Sequence, residues 1–104
     1  MKGERFNMEE LIFDKKSAYW NPDKERNKMY LKSQENWCNA QLSIRGYVFL
    51  RDIYELLGIH PTKESCTNGW WNNGHNSIVF ELEELGGSDY KIHVKDEGSI
   101  IDHF

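Results

Sequence analysis

The sequence predicts an α+β fold in which two N-terminal helices, one long and one shorter, pack on a small C-terminal antiparallel β-sheet. Three observations carry this expectation. A helix-start signal at Asn21-Pro22-Asp23 opens a stretch that runs to Gly46 without another proline. Leu50, Ile53, Tyr54 and Leu57 recur at i, i+3, i+4 and i+7. From Ile78 to Val94 the apolar period becomes two. Helices first and strands last is an α+β order, with the helices covering the apolar face of the sheet. At 104 residues a second core would be too small to stand alone, so residues 1–104 are expected to form one domain.

The first segment, residues 1–20, contains the capping-box-like Asn7-Met8-Glu9-Glu10 before Leu11-Ile12-Phe13, which suits a short helix and a single strand equally. Next, Asn21 can accept from an early amide, Pro22 suits a first helical turn, and Asp23 and Glu25 complement the positive helix end. The buried stripe of this long helix is expected at Tyr30, Trp37 and Ile44, widened by Leu31, Cys38 and Leu42. Gly46 ends it. Tyr47-Val48-Phe49 is then a short strand or the entry to a second helix, which buries Leu50, Ile53, Tyr54 and Leu57, exposes Arg51, Asp52 and Glu55, and closes at Gly58.

Residues 60–76 are rich in Asn, Gly, Thr, Ser and Pro and form a long structured loop, with room for one helical turn after Pro61. Asn73-Gly74 signals a type I′ turn if its flanks pair as strands. Ile78, Phe80 and Leu82, then Tyr90, Ile92 and Val94, alternate with polar or exposed positions, and Gly86-Gly87-Ser88-Asp89 joins the two runs as a hairpin. Ser99-Ile100-Ile101 is read as a last strand.

Composition narrows the function classes. Hydrophobic residues make up 38% and charged residues 29%, with a mean hydropathy of -0.77. Four tryptophans and 13% aromatics are too many for a disordered chain, and the aromatics are expected to build the core. Seventeen acidic against 13 basic residues leave a net charge of -4, which disfavours non-specific attraction to nucleic-acid phosphates and is too modest for a DNA mimic. No apolar run approaches the ~18 residues of a membrane span. Met1-Lys2-Gly3-Glu4-Arg5 leads into an acidic stretch rather than a signal-peptide core, and Cys38 and Cys66 are too few for a disulfide scaffold. A cytoplasmic location follows as the expectation.

Cys66 with His60 and His75 lacks zinc-ligand spacing, and the acidic residues from Glu81 to Asp102 have the alternation of a solvated strand face and the chemistry of ordinary turns. Gly86-Gly87 sits between strands, not between strand and helix, so no phosphate loop is present. Lys24, Arg26, Lys28 and Lys32 make the start of the long helix locally basic, as a solvated helix face is. Catalytic residues, metal ligands and cofactors are therefore not expected. The tryptophan pair is more informative. Adjacent strand residues point to opposite faces, so Trp70 and Trp71 either divide between core and a recognition loop or together cap the sheet and helix ends. The candidate binding residues are Trp70, Trp71, Asn73, His75, Glu81 and Glu83.

Residues 44–58, Ile44-Arg45-Gly46-Tyr47-Val48-Phe49-Leu50 through Leu56-Leu57-Gly58, resemble the central pattern of an uncharacterised family of small proteins from phages and integrated elements of Gram-positive bacteria. In that pattern an arginine-glycine precedes an apolar phenylalanine-leucine and an acidic-apolar-tyrosine helix ending in leucine-glycine. Thr62, Gly69-Trp70 and Ile100-Ile101-Asp102 stand in matching order after it, so the similarity runs from about Gln34 to the end. Cys66-Thr67-Asn68 and the polar stretch from Trp71 to Asn76 depart from it. The resemblance implies a phage or mobile-element accessory protein in a bacterial cytoplasm, and supplies no site residues.

The expected function is non-enzymatic binding of a host or phage macromolecule, foremost a protein, through the Trp70 to Asn76 loop and the adjacent acidic sheet edge; inhibition of a host defence or regulatory protein would suit such a role. A small homo-oligomeric virion or assembly component is the alternative, and nucleic-acid binding through the basic helix start is third. An enzyme would need a pocket gathering His60, Cys66, His75 or the acidic hairpin residues.

Overall fold

The computed structural model describes residues 7–104; the charged start at residues 1–5, weighed above against a signal peptide, lies outside them. The chain enters as a strand, β1 (Asn7–Phe13), and continues through α1 (Lys24–Arg45), β2 (Tyr47–Phe49), α2 (Leu50–Leu56), β3 (Gly69–Trp71), β4 (Glu81–Gly86) and β5 (Asp89–Asp96). One antiparallel sheet has the order β1-β5-β4, and β2 and β3 form a second, two-stranded one. The helices-then-sheet order is thereby overturned: strands lie before, between and after the helices. The reason is β1, which pairs with β5 from Asn7↔Asp96 to Phe13↔Tyr90, almost the whole chain away. Among its described side chains Leu11 and Phe13 are buried while Ile12 is exposed, an alternation too short to separate strand from helix.

The cap of helix α1 is Asp23, two residues after the expected Asn21. The Asp23 carboxylate accepts the amides of Glu25 at 2.9 Å and Arg26 at 3.4 Å, while the Asn21 side chain accepts the Asp23 amide at 2.8 Å in a turn before the helix. Gly46 ends the helix with φ of 91°, a left-handed conformation that only glycine adopts at little cost.

The buried face of α1 is the flank of the expected stripe and not its centre. Leu31, Cys38 and Leu42 are buried as expected, together with Asn27, whereas Trp37 is 43% and Ile44 77% exposed and Tyr30 only half-buried. The stripe was obscured because core-facing positions of this helix are polar and bond to other segments. Asn27 Nδ2 donates to the carbonyls of Asn21 at 2.7 Å and Ser88 at 2.8 Å, tying the helix start to the β4–β5 hairpin. Asn39 Oδ1 accepts the Ile78 amide and Asn39 Nδ2 donates to the Ile78 carbonyl, both at 2.8 Å. Glu35 Oε2 accepts the Phe80 amide at 2.7 Å.

These bonds explain why β4 starts at Glu81 and not at Ile78. Ile78 and Phe80 are buried and Val79 exposed, as the period of two predicts, but helix side chains take the backbone bonds that a neighbouring strand would supply. Asn39→Ala should strand two buried backbone groups of Ile78, each worth about 1–3 kcal/mol when left unsatisfied. The expected result is a loss of roughly 2–3 kcal/mol in urea unfolding with an unchanged m-value. A midpoint equal to wild type would show that the Ile78 groups find other partners.

Helix α2 and the β4–β5 hairpin follow their sequence patterns. Leu50, Ile53, Tyr54 and Leu57 are buried, and Gly58 follows with φ of 70°. Tyr90, Ile92 and Val94 of the central strand are buried and join Leu11, Phe13, Leu31, Leu42 and Trp70 in one core. The condition for a hairpin at Asn73-Gly74 is not met, and the expected last strand does not form. Gly74 is left-handed at φ of 89°, yet no type I′ hairpin forms, because β3 pairs with β2 and asparagine side chains close the loop. Asn72 Oδ1 accepts the Gly74 amide at 2.8 Å, and Asn73 Oδ1 accepts those of His75 at 2.8 Å and Asn76 at 2.9 Å. The last segment is not a strand either: Ser99 makes a single bridge to Asn68, and residues 101–103 are a 3₁₀ turn. Both cysteines are free, and burial pushes the Cys38 thiol up to about 12. Among the described residues no helix is long and apolar enough to cross a membrane.

Candidate functional site

The β2–β3 ribbon divides its side chains by strict alternation. Val48 and Trp70, which face one another in the register, turn inward and are buried at 0% and 2% exposure. Tyr47 and Trp71 stand opposite each other on the outer face, and Phe49 stands opposite Gly69, which adds no side chain there. The outer face is therefore aromatic. Tyr47 and Trp71 stack with centroids 6.4 Å apart, and Tyr47 meets Phe49 edge-on at 5.6 Å.

Residues of the last turn lie over this face. The Phe104 ring stands edge-on to Tyr47 at 4.9 Å and to Trp71 at 5.1 Å and stacks on Phe49 at 5.9 Å. The His103 imidazole stacks on Trp71 at 4.6 Å with planes only 13° apart. Two guanidinium groups fringe the face: Arg45 lies 4.8 Å from the Tyr47 ring centroid and Arg51 5.7 Å from that of Phe49. Arg45 also bonds Asp52 at 3.2 Å and the Tyr47 carbonyl at 3.4 Å, while Asp52 accepts the Phe49 amide at 3.1 Å. The outer edge of β2 is thus capped by side chains, which opposes addition of a further strand there.

A groove of about 430 Å³ is lined by Trp70, Asn76, Ser77, Val79, Glu81, His93, Lys95 and Glu97. Its polar groups are largely committed to the fold. Glu97 accepts the Trp71 amide at 3.3 Å and the Asn76 amide group at 2.7 Å, pinning the loop after β3 to the end of β5. His93 Nε2 lies 2.8 Å from Glu83 Oε1. That bond, with the charge of Lys91 nearby, holds the Glu83 carboxyl below its usual pKa. Glu84 is likewise lowered by its bond to Lys24.

The six residues singled out from the sequence are thus dispersed. Trp70 belongs to the core and shows only an edge to the groove, which Glu81 also lines. Trp71 lies on the aromatic face. Asn73 closes a turn, His75 is an exposed loop residue, and Glu83 is paired with His93 on the outer face of the sheet. Among the described residues no group of three or more His, Cys, Asp or Glu is placed to hold a metal ion. Sequence reasoning missed Tyr47, Phe49, His103 and Phe104. The period-two alternation of Tyr47-Val48-Phe49 was a signal for the first two.

No curated protein and no solved structure matches the chain. The family comparison covers almost all of it: residues 2–102, which include both strands of the aromatic ribbon and the whole groove, match one family model. The chain belongs to the Family of unknown function (DUF6353).

Proposed function

We propose that the chain is a non-catalytic binding protein that docks another protein through the aromatic face of the β2–β3 ribbon. The observation that carries this is the gathering of Tyr47, Phe49 and Trp71 on one outward surface, ringed by arginines. Large, rigid aromatic side chains together with arginine are what energetically dominant interface positions are made of. The loop from Trp71 to Asn76 borders this face, and its Asn72, Asn73 and Asn76 side chains hold it in shape. The resemblance to phage and integrated-element proteins supports a host or phage protein as the partner, with inhibition of a defence or regulatory protein as one such role. Cytoplasmic action suits the same context.

Charge favours a protein partner over nucleic acid. Lys24 is paired with Glu84, Arg26 with Asp23 at 3.9 Å and Lys32 with Glu35 at 3.6 Å, so the basic start of α1 carries carboxylates against three of its four cations. Capture from host lysate should recover a stoichiometric partner with wild-type protein, lose it with Trp71→Ala and retain it with Lys15→Ala on a distant loop. Equal recovery with Trp71→Ala would remove this face from the interaction. A homo-oligomer is a second reading, favoured by Met29, Trp37 and Ile44 of α1, which are 71%, 43% and 77% exposed. It requires a molar mass in solution that rises with concentration and falls to the monomer in Ile44→Glu.

A further inference from the structure

We infer that the aromatic face is a receptor for an aromatic side chain presented by an extended segment of a partner protein, and that residues 101–104 occupy that receptor in cis as a displaceable lid. The inference rests on the docking role proposed above and names the chemistry of the ligand.

The chain itself shows what the face accepts. Phe104 engages three rings at once, edge-on to Tyr47 and Trp71 and stacked on Phe49, in the geometries that aromatic quadrupoles prefer. His103 adds a planar stack on Trp71 at 4.6 Å. The fit of the rings contrasts with the weakness of the attachment. Among the described residues, the hydrogen bonds of 101–104 close only locally: Ile101 N–H to Ser99 Oγ at 3.5 Å, His103 N–H to the Ile100 carbonyl at 3.1 Å, and Phe104 N–H to the Ile101 carbonyl at 3.0 Å. The last firm anchor is Ile100, which is 2% exposed; beyond it Ile101 is 46% and Phe104 65% exposed. The segment meets the aromatic face through its rings, so an equivalent ring from another chain competes with them, opposed by the local concentration that the tether confers.

Nucleobases also stack on such platforms, but single-strand binding pairs stacking with cations that track the phosphates. Here Arg45 is already bonded to Asp52, Asp102 adjoins His103, and the chain carries a net charge of -4. An aromatic peptide segment is the better match.

The test uses the full chain and an acetylated Ile-Asp-His-Phe tetrapeptide, titrated to millimolar concentration while the indole N–H signal of Trp71 is followed by NMR. If the lid is closed about nine-tenths of the time, removing it should tighten apparent binding about tenfold. Phe104→Ala is therefore expected to bind the peptide about tenfold more tightly than wild type, and the same peptide ending in alanine should bind neither chain. No perturbation of Phe104→Ala, or tighter binding of an oligothymidylate than of the peptide, overturns the inference. So does equal affinity of the two chains; if Phe49→Ala then abolishes that binding, the lid fails while the docking face stands. Partner capture that survives Trp71→Ala removes the docking face itself.

Discussion

Gly69→Ala is expected to destabilise the protein by about 3 kcal/mol or more, at or above the upper end for overpacking substitutions. The strand position itself is unstrained, so the cost comes from space. A Cβ at residue 69 would lie 2.1 Å from the Val48 carbonyl oxygen and 2.8 Å from Phe49 Cα. Both are backbone atoms of the paired strand, which cannot swing aside as a side chain can. The other edge is closed as well: Gly69 N–H donates to the Gly98 carbonyl at 3.0 Å, and Glu97 N–H donates to the Gly69 carbonyl at 2.9 Å. Residue 69 is therefore clamped between β2 and the segment after β5, and relaxation must break one pairing or the other. For a domain of this size the melting temperature should fall by roughly 12 °C or more. Gly74→Ala serves as a control, since a Cβ there meets nothing within 4 Å and only its positive φ is penalised. A Gly69→Ala melting point within a few degrees of wild type would show that the ribbon is looser than its geometry implies.

Trp70→Ala and Trp71→Ala should separate by several kcal/mol although the residues are neighbours. Trp70 is 2% exposed within the core formed by Val48, Leu42 and Phe80, and removing a buried tryptophan costs about 3–5 kcal/mol through lost transfer energy and the cavity left behind. Trp71 loses surface ring contacts with Tyr47, His103 and Phe104, for which about 1 kcal/mol is expected. Chemical denaturation of both variants decides the matter. Comparable losses would mean that the aromatic face is part of the core, and the docking proposal would lose its outward-facing anchor.

The difference between the two tryptophans explains what a sequence reading of the site could reach. Adjacent strand residues must point to opposite faces, which limits the pair to one inward and one outward ring once β3 is a strand. Which ring turns inward depends on the register with β2, where Val48 meets Trp70 and Tyr47 meets Trp71. That register is a pairing between distant segments and leaves no local trace. Asn73, His75, Glu81 and Glu83 were grouped with the pair by proximity along the chain, but Asn73 closes a turn, His75 is an exposed loop residue, Glu81 lines the groove and Glu83 pairs with His93.

The sequence by itself determined the local elements whose signals are complete within one turn or one strand. These are the α2 face at Leu50, Ile53, Tyr54 and Leu57, the left-handed ends at Gly46 and Gly58, and the β4–β5 hairpin with Tyr90, Ile92 and Val94 inward. Tertiary structure alone decided the rest. It set β1 beside β5, turned Trp37 and Ile44 of α1 outward, and brought His103 and Phe104 over Tyr47, Phe49 and Trp71. In α1 the reason is chemical: Asn27, Glu35 and Asn39 face the interior because each satisfies backbone groups of a remote segment. A polar side chain that bonds remote backbone carries no hydrophobic signal, so its inward direction appears only when the partner segment is in place.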